Sequence, residues 1–159
     1  MKNALFAGTF DPPTLGHLDI IQRAIKLCDK LYIAVASNGK PDSLLPQEAR
    51  ILLLKKLTKD FKNIEVIPLN GLVVDVAQNL KVDCLIRGLR NSLDYTYEMQ
   101  MAGTNHQMSG IETICLMTSP QYHHITSTLV RQIVLQRGKL KGLVPQDIEQ
   151  DIYYPGNGN

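Results

Sequence analysis

Short apolar blocks alternate along this chain with stretches whose apolar residues recur every three or four positions. The blocks are Ala4-Leu5-Phe6-Ala7, Leu31-Tyr32-Ile33-Ala34-Val35-Ala36, Ile64-Glu65-Val66-Ile67, Asp83-Cys84-Leu85-Ile86 and Thr113-Ile114-Cys115-Leu116-Met117. Apolar runs of this length suit strands buried on both faces, and the three-and-four spacing is the period of one helix face. Leu18, Ile21, Ile25 and Cys28 predict a first helix. Ile51, Leu54, Leu57 and Phe61, with Pro46-Gln47-Glu48 as a first turn, predict a second of about four turns. A short helix is expected from Leu72 to Leu80 and a longer one from about Leu93 to Met108. Another is begun by Thr126, Ser127 and Thr128, all good N-cap types, and ends near Gly138. A last one starts near Pro145 and stops before Pro155, leaving residues 156–159 as an expected mobile tail.

Strands alternating with helices imply βαβ units, so the expected fold is α/β: a Rossmann-like, doubly wound, five-stranded parallel sheet with helices on both faces, residues 1–159 making one domain. The polar turns at 8–17, 37–43, 87–90 and 118–128 each follow a strand, so they gather at one edge of the sheet. In such sheets ligands bind beyond the carboxyl ends of the strands, where strand order reverses. Polar residues concentrate after the first and fourth strands, which places the reversal between those two.

Composition narrows the partners. Seventeen basic residues against 15 acidic leave a formal charge of +2, too small to argue for nucleic acid or an anionic membrane, so any anion site is local. Cys28, Cys84 and Cys115 have no C-x-x-C spacing and read as buried free thiols. The beginning of the chain lacks the longer apolar segment of a signal peptide, and no membrane-spanning run occurs, so a cytoplasmic protein is expected.

The chemistry gathers first in Gly8-Thr9-Phe10-Asp11-Pro12-Pro13-Thr14-Leu15-Gly16-His17, a turn from strand to helix. A helix start presents unpaired N–H groups and partial positive charge, so His17 stands beside a natural anion site and can donate to a phosphate oxygen. There is no G-x-x-x-x-G-K-[ST] loop, no G-x-G-x-x-G after the first strand and no G-x-S-x-G elbow. What remains is a set of donors: His17, Lys40, Arg87, Arg90, two helix starts and the hydroxyls of Thr9, Ser127 and Thr128. That inventory suits phosphoryl or nucleotidyl transfer, in which the protein positions two phosphates and stabilises developing charge. Glu98 reads either as an exposed helical carboxylate or as one reaching over the sheet edge toward a nucleotide. Adjacent His123 and His124 cannot share a helix face as metal ligands do, so no zinc site is expected, and they read as lining a loop that holds a base. Lys55, Lys56, Lys59 and Lys62 read as a solvated face, and His106 as helix surface.

Three segments carry a resemblance. Thr14-Leu15-Gly16-His17 resembles the T/H-x-G-H signature of the nucleotidyltransferase superfamily, and the Gly-Thr-Phe-Asp-Pro opening resembles its phosphopantetheine adenylyltransferase branch. Ile86-Arg87-Gly88-Leu89-Arg90 with Tyr97-Glu98-Met99-Gln100 is similar to that branch's I-R-G-[LV]-R and Y-E-x-Q segments. Ile125-Thr126-Ser127-Thr128-Leu129-Val130-Arg131 is similar to I-S-S-T-x-x-R, with Thr126 in place of a serine. The resemblance implies adenylyl transfer from ATP to 4′-phosphopantetheine with Mg²⁺, giving dephospho-coenzyme A and pyrophosphate, in a homohexamer. It implies His17 as the catalytic residue. Thr9, Phe10, His17, Gly88, Leu89, Arg90, Glu98 and Tyr122, His123, His124, Ile125, Thr126, Ser127 and Thr128 would hold ATP. Thr9, Lys40, Val73 and Arg87 would hold the acceptor. The branch often has two lysines in its second loop, whereas Lys40 stands alone. A sister enzyme with another acceptor, such as nicotinamide mononucleotide, is the alternative; the segment from Arg87 to Gln100 and the apolar Leu72-Val73-Val74 favour pantetheine.

Overall fold

The computed structural model describes residues 3–37 and 43–153; Lys40 and the 156–159 tail lie outside the described residues. Five strands, β1 (Asn3–Gly8), β2 (Lys30–Ala36), β3 (Ile64–Leu69), β4 (Cys84–Leu89) and β5 (Glu112–Met117), form one parallel sheet in the order β3-β2-β1-β4-β5. The chain begins at the centre, winds outward through β2 to β3, then returns past β1 to β4 and β5. The reversal therefore falls between β1 and β4, as the distribution of polar turns predicts.

Six α-helices connect and cover the sheet: α1 (Leu15–Ala24), α2 (Gln47–Thr58), α3 (Val73–Asn79), α4 (Ser92–Ser109), α5 (Ser127–Leu135) and α6 (Gln146–Tyr153), with one 3₁₀ turn at Pro120–Tyr122. Successive side chains of a strand point to opposite faces, so β1 sends Ala4 and Phe6 one way and Leu5 and Ala7 the other. Phe6, Ile33 and Ile86 pack with Ile20 and Ile21 of α1 and Leu54 of α2. Leu5, Tyr32 and Leu85 pack with Val76 and Ala77 of α3. A third apolar cluster joins Leu53 of α2, Val130 of α5 and Ile148 and Ile152 of α6.

Several boundaries differ from the sequence reading. Arg87, Gly88 and Leu89 are strand rather than turn, because β5 continues to pair with them as Arg87↔Cys115, Gly88↔Leu116 and Leu89↔Met117. On its other side β4 pairs with β1 only from Ala4↔Cys84 to Phe6↔Ile86, although both strands continue. The two strands at the reversal thus part at their carboxyl ends, which opens the crevice. Helix α1 stops at Ala24, whose carbonyl accepts from the Cys28 thiol, and α2 stops at Thr58, whose hydroxyl donates to the Leu54 carbonyl, so Ile25 and Phe61 lie beyond the helices. Cys28 and Cys84 are buried as expected, but Cys115 is exposed, because β5 is an edge strand.

Candidate active site

The loop after β1 is fixed by short-range chemistry. Thr14 caps α1: its hydroxyl accepts from the His17 N–H at 3.3 Å, and its own N–H donates to His17 Nδ1 at 3.0 Å. With Nδ1 accepting, the ring proton sits on Nε2, so His17 is a neutral imidazole with one outward N–H donor. Burial, with Arg90 and Arg87 nearby, pulls its pKa down from 6.5 to about 4. The Phe10 ring meets the imidazole edge-on, with centroids 4.9 Å apart. Asp11, buried, accepts from Ser43 Oγ and from the Leu44 and Leu45 N–H groups, each at 2.9 Å, tying this loop to the start of the segment before α2.

Opposite stand two arginines from the end of β4, each gripped by a carboxylate from α4. Arg87 donates through Nε and Nη2 to Glu98 at 2.7 and 2.5 Å, and through Nη1 to the Ala7 carbonyl. Arg90 donates through Nε and Nη2 to Asp94 at 2.9 and 3.1 Å, and through Nη1 to the Ile125 carbonyl at 3.2 Å. Asp94 and Glu98 are one helical turn apart, so one face of α4 orients both forks. Burial raises the Asp94 pKa, but bonds from Arg90 outweigh that and hold it below its ordinary value. Gly88 lies between the arginines, and a Cβ there would come within 3.0 Å of Ile20 Cγ1.

The third wall is the start of α5. Thr126 is its N-cap, its hydroxyl accepting from the Leu129 N–H at 3.0 Å, and Ser127 Oγ donates to the Pro12 carbonyl at 3.0 Å. Arg131 donates to the Asp11 carbonyl at 2.9 Å and to Thr128 Oγ1 at 3.2 Å. Thr126, Ser127 and Thr128 at the start of α5 line the space enclosed by these walls, and a helix start carries the partial positive charge that favours an anion.

These walls enclose a cavity of about 580 Å³. It brings together Thr9, Phe10, His17, Arg87, Gly88, Arg90, Glu98, Ile125, Thr126, Ser127 and Thr128, from four segments of the sequence. Leu89, Tyr122, His123 and His124 are not in its lining; His123 donates through Nε2 to the Thr118 carbonyl at 2.8 Å, and both histidines are exposed. A second cavity of about 250 Å³ shares Ala7, Gly8, Thr9, Arg87 and Glu98 with the first and is otherwise mainly apolar, with Leu69, Val73 and Met101 in its walls. Val73 and Arg87, expected on the acceptor, both reach it. Glu98 is buried, neither the exposed carboxylate nor a group free to reach out, because Arg87 holds both its oxygens. Sequence reasoning passed over Asp94, whose signal was its four-residue spacing from both Arg90 and Glu98, and Arg131, the last residue of the α5 motif.

Three arginines, Arg87, Arg90 and Arg131, face three carboxylates, Asp11, Asp94 and Glu98, in the larger lining, so its described side chains are formally neutral. Among the described residues, no cluster of His, Cys, Asp and Glu could hold a metal ion by itself. No cysteine lines either cavity: burial pushes the Cys84 thiol up to about 11, and burial also raises Cys28 and Cys115. The donors gathered in the site suit binding phosphates and stabilising charge on them.

Comparison with known proteins agrees with this reading. Residues 5–133 match the cytidylyltransferase-like family. A phosphopantetheine adenylyltransferase of Lachnoclostridium phytofermentans is 42% identical over 99% of this chain and 98% of its own length. One of Clostridium botulinum strain Alaska E43 is 43% identical over 96% of both chains. Among solved structures, a candidate nicotinate-nucleotide adenylyltransferase of Vibrio parahaemolyticus shares the fold with a TM-score of 0.67 at 16% identity, covering 96% of this chain and 99% of that one. A lipopolysaccharide core biosynthesis protein of Thermoplasma volcanium aligns with a TM-score of 0.54 at 23% identity, over 75% of this chain and 97% of its own.

Proposed function

Because this chain belongs to the cytidylyltransferase-like family and, within it, to the phosphopantetheine adenylyltransferases, we infer how its two cavities divide the work of adenylyl transfer. The reaction joins ATP and 4′-phosphopantetheine to give dephospho-coenzyme A and pyrophosphate. The larger cavity holds ATP and the smaller one the pantetheine arm. The observation that carries the division is the mainly apolar second cavity, open to the first across Arg87 and Glu98. An acceptor lying there sets its phosphate at Arg87 with its arm against Leu69, Val73 and Met101. Nicotinamide mononucleotide, with a ribose and a charged ring, would leave polar groups unpaired against such walls.

In this arrangement an oxygen of the acceptor phosphate attacks the α-phosphorus of ATP, and the bond to the bridging oxygen of pyrophosphate breaks. No proton has to leave the nucleophile, since the phosphate is already anionic, so His17 has no task as a base. Its Nε2–H donates to a non-bridging α-phosphate oxygen as charge develops there. Arg90, Arg131 and the start of α5 hold the β- and γ-phosphates. Mg²⁺ would enter on the phosphates themselves: a formally neutral lining cannot offset a triphosphate alone, and the cation would supply the missing charge. Release of pyrophosphate from ATP, Mg²⁺ and 4′-phosphopantetheine tests the reading, and equal or faster turnover with nicotinamide mononucleotide would reject it.

Self-association belongs to the same reading. Helix α4 buries only Glu98, while Leu93, Tyr95, Tyr97, Met99 and Met108 are each more than half exposed. Tyr95 and Met99, one turn apart, share a side of the helix, and we assign that side to contact with further copies of the chain, with a hexamer as the expected assembly. No helix among the described residues is long and apolar enough to cross a membrane. ATP as donor and free thiols at Cys28 and Cys115 support a cytoplasmic setting.

A further inference from the structure

Among the described residues the largest fully buried side chain is a charged one, Arg50 of α2, which is wholly inaccessible to solvent and lines neither cavity. Its Nε donates to the Leu45 carbonyl at 3.1 Å, and its Nη1 donates to the Ala36 carbonyl at 2.9 Å and to the Thr9 carbonyl. Three segments meet on one guanidinium: the loop after β1, the end of β2 and the residues leading into α2. Its Nη2 is buried with no hydrogen-bond partner among the described residues. As a stabilising device this is a poor one, since a buried charge costs several kcal/mol in lost hydration and an unpaired donor adds to that. What a rigid planar fork does supply is geometry.

The Thr9 carbonyl is the place where that geometry reaches the chemistry. The next residue, Phe10, has φ of 51°, the left-handed region in which a side chain other than glycine is strained. Strain of this kind persists only where the surroundings over-determine it. Phe10 is almost wholly buried, packed edge-on against Phe6 with centroids 5.3 Å apart, and a Cβ at Gly8 would come within 3.0 Å of its ring. Its other neighbour is the His17 imidazole, 4.9 Å away at 67°. The ring plane of His17 in turn determines whether Nδ1 faces the Thr14 N–H, and so which nitrogen carries the proton.

We propose that Arg50 is the positioning residue for His17: by holding the Thr9 carbonyl it fixes Phe10 in its left-handed backbone, and the Phe10 ring sets the plane of the imidazole. The inference rests on the reading of His17 as donor to the reacting phosphate. It assigns Arg50 to the rate of transfer although the guanidinium touches neither substrate. Displacing a catalytic group by a fraction of an ångström to about 1 Å costs up to about 10²-fold in rate.

The test compares the parent with Arg50→Lys and Phe10→Leu, each checked for folding by circular dichroism, together with Ile148→Ala as a core truncation that lines neither cavity and bonds to neither Arg50 nor His17. Steady-state kinetics and ¹⁵N spectra of the histidines are recorded on all four. In the parent His17 should show one tautomer, protonated at Nε2. Arg50→Lys and Phe10→Leu should both lose that single tautomer and lower kcat by roughly 10- to 100-fold, and Arg50→Lys, which lines neither cavity, should change KM for ATP no more than about twofold. Ile148→Ala should lose thermal stability and keep both kcat and the tautomer. A folded Arg50→Lys with parental kcat, or with lowered kcat and an intact tautomer, would overturn the proposal. Should Arg50→Lys fail to fold, Phe10→Leu decides it alone: an unchanged tautomer breaks the chain from loop to imidazole. A parent without transfer activity would defeat the functional reading instead, and the spectra would still report whether Arg50 orients His17.

Discussion

Arg87 and Glu98 meet fork to fork, Nε to Oε2 at 2.7 Å and Nη2 to Oε1 at 2.5 Å, on the boundary between the polar and the apolar cavity. An acceptor phosphate at Arg87 therefore meets an arginine whose planar fork is already held by a carboxylate. The phosphate has to share the guanidinium with Glu98, not capture a free one. On the proposed division of the cavities Glu98 would act on the acceptor through Arg87, whereas the resemblance assigns it to ATP.

The two assignments separate in a double-mutant cycle. Arg87→Lys keeps the charge and loses the bidentate geometry, so KM for 4′-phosphopantetheine should rise about tenfold while KM for ATP stays nearly constant. Glu98→Gln should act in the same direction, and the pair should be non-additive by about 1–3 kcal/mol, as expected of residues in one network. Additive effects, with Glu98→Gln falling on ATP alone, would return Glu98 to the nucleotide.

His17 and Arg90 should differ in kind. A donor that strengthens only as charge grows contributes to rate, so His17→Ala should lower kcat by about 10²–10³, roughly 3–4 kcal/mol, with ATP binding largely intact. Arg90, in its proposed place on the ground-state phosphates, would bind substrate and transition state alike, so Arg90→Ala should raise KM for ATP. Steady-state kinetics on folded variants distinguish the two, and near-normal kcat in His17→Ala would remove it from the catalytic role.

The parts of this arrangement that the sequence discloses are those governed by local rules. The block pattern gives five strands and their connections, and the polar residues after the first and fourth strands place the reversal of strand order. Thr14 and His17 sit at capping-box spacing, so their contact is local as well. What escaped is tertiary. Arg87 reads as turn because its partner Cys115 is far along the chain. Glu98 sits among Tyr95, Tyr97, Met99 and Met101, a neighbourhood whose periodicity does not say which face is buried. Arg50 looks like any helical arginine until the fold brings three carbonyls to it. Lys40 lies outside the described residues, so its part in acceptor binding stays a proposal.

Helix α4 gives the prediction on assembly. Tyr95 and Met99 lie one turn apart and are both 55% exposed, so charging both should weaken any contact made there without disturbing the core. Light scattering should find the parent near six copies of a 17.8 kDa chain and the Tyr95→Asp, Met99→Asp variant smaller. A parent that is monomeric at micromolar concentration would count against self-association.

The last prediction concerns pH. With its pKa pulled down to about 4 against 6.5 when unfolded, His17 stays neutral in the folded protein as the medium is acidified to near pH 4. A depressed pKa means that the unfolded chain takes up this proton first. The stability His17 contributes is therefore complete above pH 6.5 and is lost as pH falls from there through 4, by at most about 3 kcal/mol. Catalysis has a different dependence: the Nε2–H donor is present throughout, so kcat should show no step from His17 between about pH 5.5 and 8. Two measurements check both halves. Urea unfolding of the parent and of His17→Gln from pH 7 to 4 should show the parent losing more stability, the difference arising from that one imidazole. The pH profile of kcat should have the same shape in the parent and in His17→Gln through the ordinary histidine range, any step there belonging to the acceptor phosphate, whose second ionisation falls at about pH 6. A rise in kcat with pH, centred near 6.5 in the parent and absent in His17→Gln, would mean that His17 acts as a base, and the assignment of a neutral donor would fall.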